Sequence, residues 1–111
     1  MRGALLAAFL LGSLPAAAHT SDCGGKSGID KARCERHETM YKKCVTVKGE
    51  EHFACDRTYL LANPLPCKEF PGNDAARCTK ENEAFAACES NAGRAFMKCV
   101  RSTTGESPMG H

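Results

Sequence analysis

Eight cysteines fall at positions 23, 34, 44, 55, 67, 78, 88 and 99, so a block with ten, nine and ten intervening residues is written twice. Eleven residues separate the copies. The heptad ending in the second cysteine of each block repeats as well, GIDKARC at Gly28–Cys34 and GNDAARC at Gly72–Cys78. Aligned at an offset of 44, the blocks also share Gly28/Gly72, Asp30/Asp74, Ala32/Ala76, Arg33/Arg77 and Gly49/Gly93, and Tyr41 matches Phe85. This is an internal duplication, in which two copies of one unit adopt one local structure. The shared positions are cysteines, glycines and a helix start, so the repeat speaks to architecture and not to chemistry.

The oxidation state of those cysteines follows from the compartment. Arg2 precedes an apolar run from Ala4 to Leu14 and the small-residue stretch Ala16-Ala17-Ala18, the pattern of a secretory signal peptide. Residues 1–18 are read as that signal, with His19 as the mature N-terminus. The run falls short of the roughly 18 apolar residues that a membrane helix needs, and Thr20-Ser21-Asp22 before Cys23 is not a lipobox. The expectation is a secreted or periplasmic protein with no membrane span after processing. An even cysteine count in a short exported chain reads as a disulfide framework.

Removing 18 of the 111 residues leaves 93, and the loss of Arg2 takes the formal charge from +2 to +1. Basic and acidic residues alternate along the chain, unlike the concentrated basic face of a nucleic-acid binder. A chain this short buries a modest core, and disulfides offset that deficit. With no Trp and 6% aromatic residues, the core must draw on aliphatic, Met, Phe and cystine side chains.

Breakers place the helices. Asp30 and Asp74 can cap a helix start after Gly28 and Gly72, while Gly49 and Gly93 suit the left-handed residue past a helix end. The segments between hold no Gly or Pro and are rich in helix formers. Helices are predicted at 30–47 and 74–91, with shorter ones at 50–62 and 94–103. The segment NPLPCKEFPG links the repeats. The sequence is thus read as one all-α domain over 19–103, a small four-helix array of two hairpins (repeats 23–55 and 67–99), with residues 104–111 as a flexible tail.

Helical rise then limits the cross-links. Cys34 and Cys44 lie about 15 Å apart on one helix, beyond the roughly 7 Å that a disulfide spans. Cys44 and Cys55 sit five residues before and six after Gly49, level with one another across an antiparallel hairpin. Cys44–Cys55 and its copy Cys88–Cys99 are the natural bridges. Cys23–Cys34 and Cys67–Cys78 complete a local scheme, each bridge contributing about 2–3 kcal/mol.

A second scheme comes from a resemblance. The helical pairs Cys34/Cys44 and Cys78/Cys88 are similar in spacing to the twin Cys-x9-Cys pattern of coiled-coil-helix-coiled-coil-helix proteins. That resemblance, confined to four of the eight cysteines, implies bridges between two antiparallel helices, Cys34–Cys88 and Cys44–Cys78. Other links, such as Cys34–Cys67, are also open at this point.

No residue pattern points to catalysis. Gly24-Gly25-Lys26-Ser27 lacks the upstream glycine and strand of a phosphate-binding loop, and reads as a Cys-anchored turn. No two cysteines are closer than ten positions, which excludes the Cys-x-x-Cys of thiol oxidoreductases and close-spaced zinc sites. His37 and His52 are separated by about 15 Å of helix rise and read as surface residues. An N-terminal His19 offers its amine and imidazole to Cu(II). The Asp30/Arg33 and Asp74/Arg77 pairs read as caps and surface ion pairs. Met40, Tyr41 and Cys44, with Ala84, Phe85 and Cys88, form a helical stripe expected in the core. The functional expectation is an exported, non-enzymatic module without a cofactor that binds another protein or cell-envelope macromolecule, and the alternative is a copper-binding protein using His19.

Overall fold

The computed structural model describes residues 22–110. The segment read as a signal peptide and His19 lie outside the described residues. Four α-helices make up the fold: α1 (Gly28–Cys44), α2 (Glu50–Ala62), α3 (Gly72–Cys88) and α4 (Gly93–Thr104). Each long helix is preceded by a short 3-10 turn, Cys23–Gly25 before α1 and Cys67–Glu69 before α3. The architecture is the expected one, two helical hairpins in tandem, and Gly24–Ser27 belongs to the cysteine-anchored turn.

Every cysteine bonds to the one eleven positions away in its own repeat. Cα–Cα distances are 5.6 Å for Cys23–Cys34, 5.7 Å for Cys44–Cys55, 5.3 Å for Cys67–Cys78 and 5.8 Å for Cys88–Cys99. No cysteine is free. The cross-helix bridges implied by the twin Cys-x9-Cys resemblance do not form, because Cys34, Cys44, Cys78 and Cys88 all have partners within their own hairpins.

The helix boundaries shift from those predicted. α1 and α3 begin at the glycines and end at Cys44 and Cys88, two to three residues earlier than expected. Gly49 and Gly93 do not close these helices; Gly49 precedes α2 and Gly93 opens α4. The positive φ that favours glycine is present at both, but it serves the second helix of each hairpin.

α2 packs on α4, and α1 packs less extensively on α3, so the two repeats face each other. The core joins Met40, Cys44 and Leu60 of the first repeat to Ala84, Phe85, Cys88, Phe96, Met97 and Val100 of the second. The Phe85 and Phe96 rings lie 5.7 Å apart. The anticipated stripe is therefore core, except that Tyr41 is only half-buried.

Polar groups couple the repeats at their helix starts. Asp74 does not cap its own helix; its Oδ2 accepts the Ile29 N–H of α1 at 3.1 Å. Glu50 Oε2 likewise accepts the Arg94 N–H of α4 at 2.9 Å. A carboxylate at a helix N-terminus satisfies an orphan donor and complements the helix dipole. Asp30, the twin of Asp74, turns instead to Arg77 at 2.8 Å.

Gly28 and Gly72 have nearly the same φ, +57° and +55°, but different surroundings. A Cβ at Gly28 would land on the Asp74 carboxylate, whereas Gly72 has open space. Alanine at either position meets the left-handed penalty of about 1–2 kcal/mol. Only Gly28→Ala also displaces Asp74 from Ile29, which adds about 1 kcal/mol. Urea midpoints should therefore fall further for Gly28→Ala than for Gly72→Ala, and equal losses would contradict the cap between repeats.

Candidate functional site

The outer side of the first hairpin carries an open groove of about 880 Å³, lined by Val47, Ala54, Cys55, Thr58, Tyr59 and Ala62, with Lys43, Glu51 and Asn63 at its rim. Within α2, positions 51, 54, 55, 58, 59 and 62 follow helical spacing and make one continuous stripe. The opposite face of the helix supplies Leu60 to the core, with Phe53 packed against it. Of the groove residues, Ala54, Thr58 and Ala62 are exposed, while Cys55 and Tyr59 are half-buried and also pack against the core. The Cys44–Cys55 bridge holds α2 against the end of α1, so one groove wall is covalently fixed.

The duplication supplies an internal control for this face. At the same offset of 44, Val47, Ala54, Thr58 and Tyr59 correspond to Asn91, Lys98, Ser102 and Thr103, while Lys43 and Glu51 correspond to Ala87 and Ala95. The second hairpin reaches the same fold with polar residues at 91, 98, 102 and 103. The apolar residues at 47, 54 and 59 are thus not demanded by the architecture.

A second cluster lies where α1 meets α3. Arg33, Arg36 and Glu81 are buried side by side. Arg36 Nη2 reaches both Glu81 oxygens at 3.1 Å, and Arg33 Nε stands 3.1 Å from Glu81 Oε2. Burial pushes the Arg36 guanidinium below its ordinary value, and the adjacent Glu81 opposes that shift. Glu106, just beyond α4, bridges Arg33 at 2.8 Å and Arg77 at 2.7 Å. Hydrogen bonds from Arg77, then from Arg33, hold its carboxyl at about 2, although partial burial acts the other way.

The Asp–Arg pairs of the duplicated heptad have split roles. Arg77 does pair with Asp74 at i,i+3, 3.1 Å apart. Arg33 turns inward to Glu81 and Glu106, and Asp30 pairs across the repeats with Arg77. The expected surface pair at Asp30/Arg33 does not form, since the facing repeat offers Arg33 a buried carboxylate.

His52 also departs from a surface role. Its Nδ1 lies 2.9 Å from the Cys44 carbonyl, which can only accept, so Nδ1 carries a hydrogen. Nε2 is then 3.3 Å from Asp56 Oδ2, an approach that is favourable when a proton sits between them. Asp56 is buried, and its Oδ1 has no hydrogen-bond partner. Desolvation raises the Asp56 pKa and His52 acts against the rise. The twins of these residues are the core residues Phe96 and Val100.

Among the described residues no group of three or more His, Cys, Asp or Glu could hold a metal ion. No described helix is long and apolar enough to cross a membrane. The eight cysteines predicted as disulfide residues are all placed in bridges, and the copper site predicted at His19 lies outside the described residues. Sequence reasoning missed the groove, although the mismatch of Ala54/Lys98 and Tyr59/Thr103 in the repeat alignment was a signal for it. No family model, curated protein or solved structure matches the chain.

A raised folded-state pKa means that Asp56 favours the fold while protonated and costs stability as pH rises through that pKa. Asp56→Asn should therefore raise stability at pH 7 by on the order of 1 kcal/mol. The gain should vanish in acid, where Asp56 is itself neutral. Denaturant midpoints at neutral and acid pH check this, and a loss of stability at pH 7 would contradict it.

Proposed function

We propose that this protein is a non-enzymatic binding module that works in an oxidising, extracytoplasmic compartment and holds an apolar segment of a partner protein in the α2 groove. The observation that carries the reading is the contrast between the two hairpins at Val47/Asn91, Ala54/Lys98 and Tyr59/Thr103: one fold, apolar at these positions on the first hairpin and polar on the second. Four disulfides favour an oxidising setting, since such bridges form and persist there. They also support binding physically. A stapled helix loses little conformational freedom when it docks, and preorganisation of this kind raises affinity.

The groove residues suit an apolar guest. Ala54 and Ala62 let a partner backbone approach α2 closely, and Tyr59 offers a large amphipathic contact surface. Lys43 and Glu51 at one end provide a positive and a negative group to set orientation.

A photo-crosslinking side chain placed at Ala54 tests the reading, with the same group at Lys98 as the matched control on the other hairpin. In native extracytoplasmic fluid, position 54 should give a discrete adduct with one partner and position 98 should not. Filling the groove with Thr58→Arg should reduce that adduct by about tenfold or more, the loss expected for roughly 1.4 kcal/mol. Equal labelling from 54 and 98, or an adduct indifferent to Thr58→Arg, would defeat the proposal.

A further inference from the structure

Arg33 and Arg36 bring two positive charges into the interior, where the facing repeat supplies one buried carboxylate, Glu81. A buried charge needs a partner, and here the second negative charge comes from beyond the helical scaffold. α4 ends at Thr104, and Gly105 turns the chain out of the helix with φ +79°. The segment that follows is laid against α1. The Glu106 carboxylate is held by Arg33 and Arg77. The Pro108 carbonyl accepts from Arg36 Nη2 at 3.1 Å, and the Pro108 side chain is fully buried. Met109 packs on the core cluster. Gly110 lies so close to α1 that a Cβ there would stand 3.1 Å from the Cys34 nitrogen.

These contacts have the form of a receptor holding a peptide: a carboxylate read by two arginines, a main-chain carbonyl read by a third, a buried proline side chain and a half-buried methionine. The duplication does not require them. The twins of Glu106 and Pro108 are Ala62 and Pro64, both exposed. A space of about 270 Å³ beside the segment, bounded by Asp30, Arg33, Gly105, Glu106, Ser107 and Gly110, leaves room for a larger guest.

We propose that the cleft formed by Arg33, Arg36 and Arg77 is a recognition site for acidic peptide segments of the order Glu-x-Pro-apolar. Residues 106–110 fill it as a built-in competitor. A segment tethered in cis competes at an effective concentration of about 1 mM, so a partner peptide binds only by exceeding that competition or after the segment is removed. The site is separate from the α2 groove, and the failure of either leaves the other standing.

The test uses the full-length, oxidised chain carrying Glu106→Lys, which places a lysine against Arg33 and Arg77 and expels the segment. Calorimetric titration uses the synthetic peptide TTGESPMGH and the same peptide with glutamine in place of its glutamate. The variant should bind the first peptide at least about tenfold tighter than the wild-type chain does, and the glutamine peptide about tenfold more weakly. No binding at about 1 mM peptide, a concentration comparable to cis competition, would overturn the proposal. So would equal affinity for the two peptides, or equal binding by variant and wild type. Should Glu106→Lys not fold, a specific protease site inserted after Gly105 can be cut once the disulfides have formed. The released segment should then exchange with labelled TTGESPMGH; loss of the segment without measurable rebinding would overturn the proposal.

Discussion

The structure depends on the bond between each second-helix cysteine and the first-helix cysteine eleven positions before it. Helices of 17 residues and of 12 or 13 residues draw most of their stability from tertiary packing, and a hairpin of two such helices buries little on one side. The Cys44–Cys55 and Cys88–Cys99 bridges remove much of the chain entropy that would oppose the hairpins. Cys23–Cys34 and Cys67–Cys78 tie the preceding turns onto α1 and α3. Every bridge lies within one hairpin, so the surface where the hairpins meet is left to non-covalent forces.

That surface is where the two copies have diverged. An apolar core of Met40, Leu60, Phe85, Phe96, Met97 and Val100 is flanked by polar contacts made from each repeat to the other. Asp74 caps α1, Glu50 caps α4, and Arg36 takes Glu81. Arg57 extends the pattern, donating to the Asn91 and Glu89 carbonyls at the end of α3 while its guanidinium stands over the Phe96 ring. A first hairpin could not satisfy another first hairpin in this way. Duplication supplied two scaffolds, and substitutions at the shared face made them complementary.

This history explains what could be read from the chain. The bridges and the existence of four helices were legible, since helical rise and loop length decide which cysteines can meet, and the separations of ten and nine residues leave few options. The roles of Gly49 and Gly93 were not: a left-handed residue between two helices suits the end of one as well as the start of the next, and only the backbone decides. The pairing of Arg33 was hidden because GIDKARC and GNDAARC are locally alike, and what separates them is Glu81 across the repeat interface. The docked segment after Gly105 was hidden for the same reason, as its polar, Gly- and Pro-containing sequence looks loose until Arg33, Arg36 and Arg77 are brought together. The groove lay within reach, because its apolar residues stand opposite polar ones in the internal alignment.

With folding assigned to the staples, the outer surfaces are free to differ, and both the α2 groove and the arginine cleft rest on hairpins that cannot open without breaking a covalent bond. The account therefore stands on disulfide connectivity. Trypsin has a Lys or Arg between every consecutive pair of cysteines, at Lys26, Arg36, Lys48, Arg57, Lys68, Lys80 and Arg94, so one non-reducing digest analysed by mass spectrometry separates all eight. The predicted result is four linked peptide pairs, Cys23–Cys34, Cys44–Cys55, Cys67–Cys78 and Cys88–Cys99. Recovery of Cys34–Cys88 or Cys44–Cys78, or of unpaired thiols in the native protein, would contradict it.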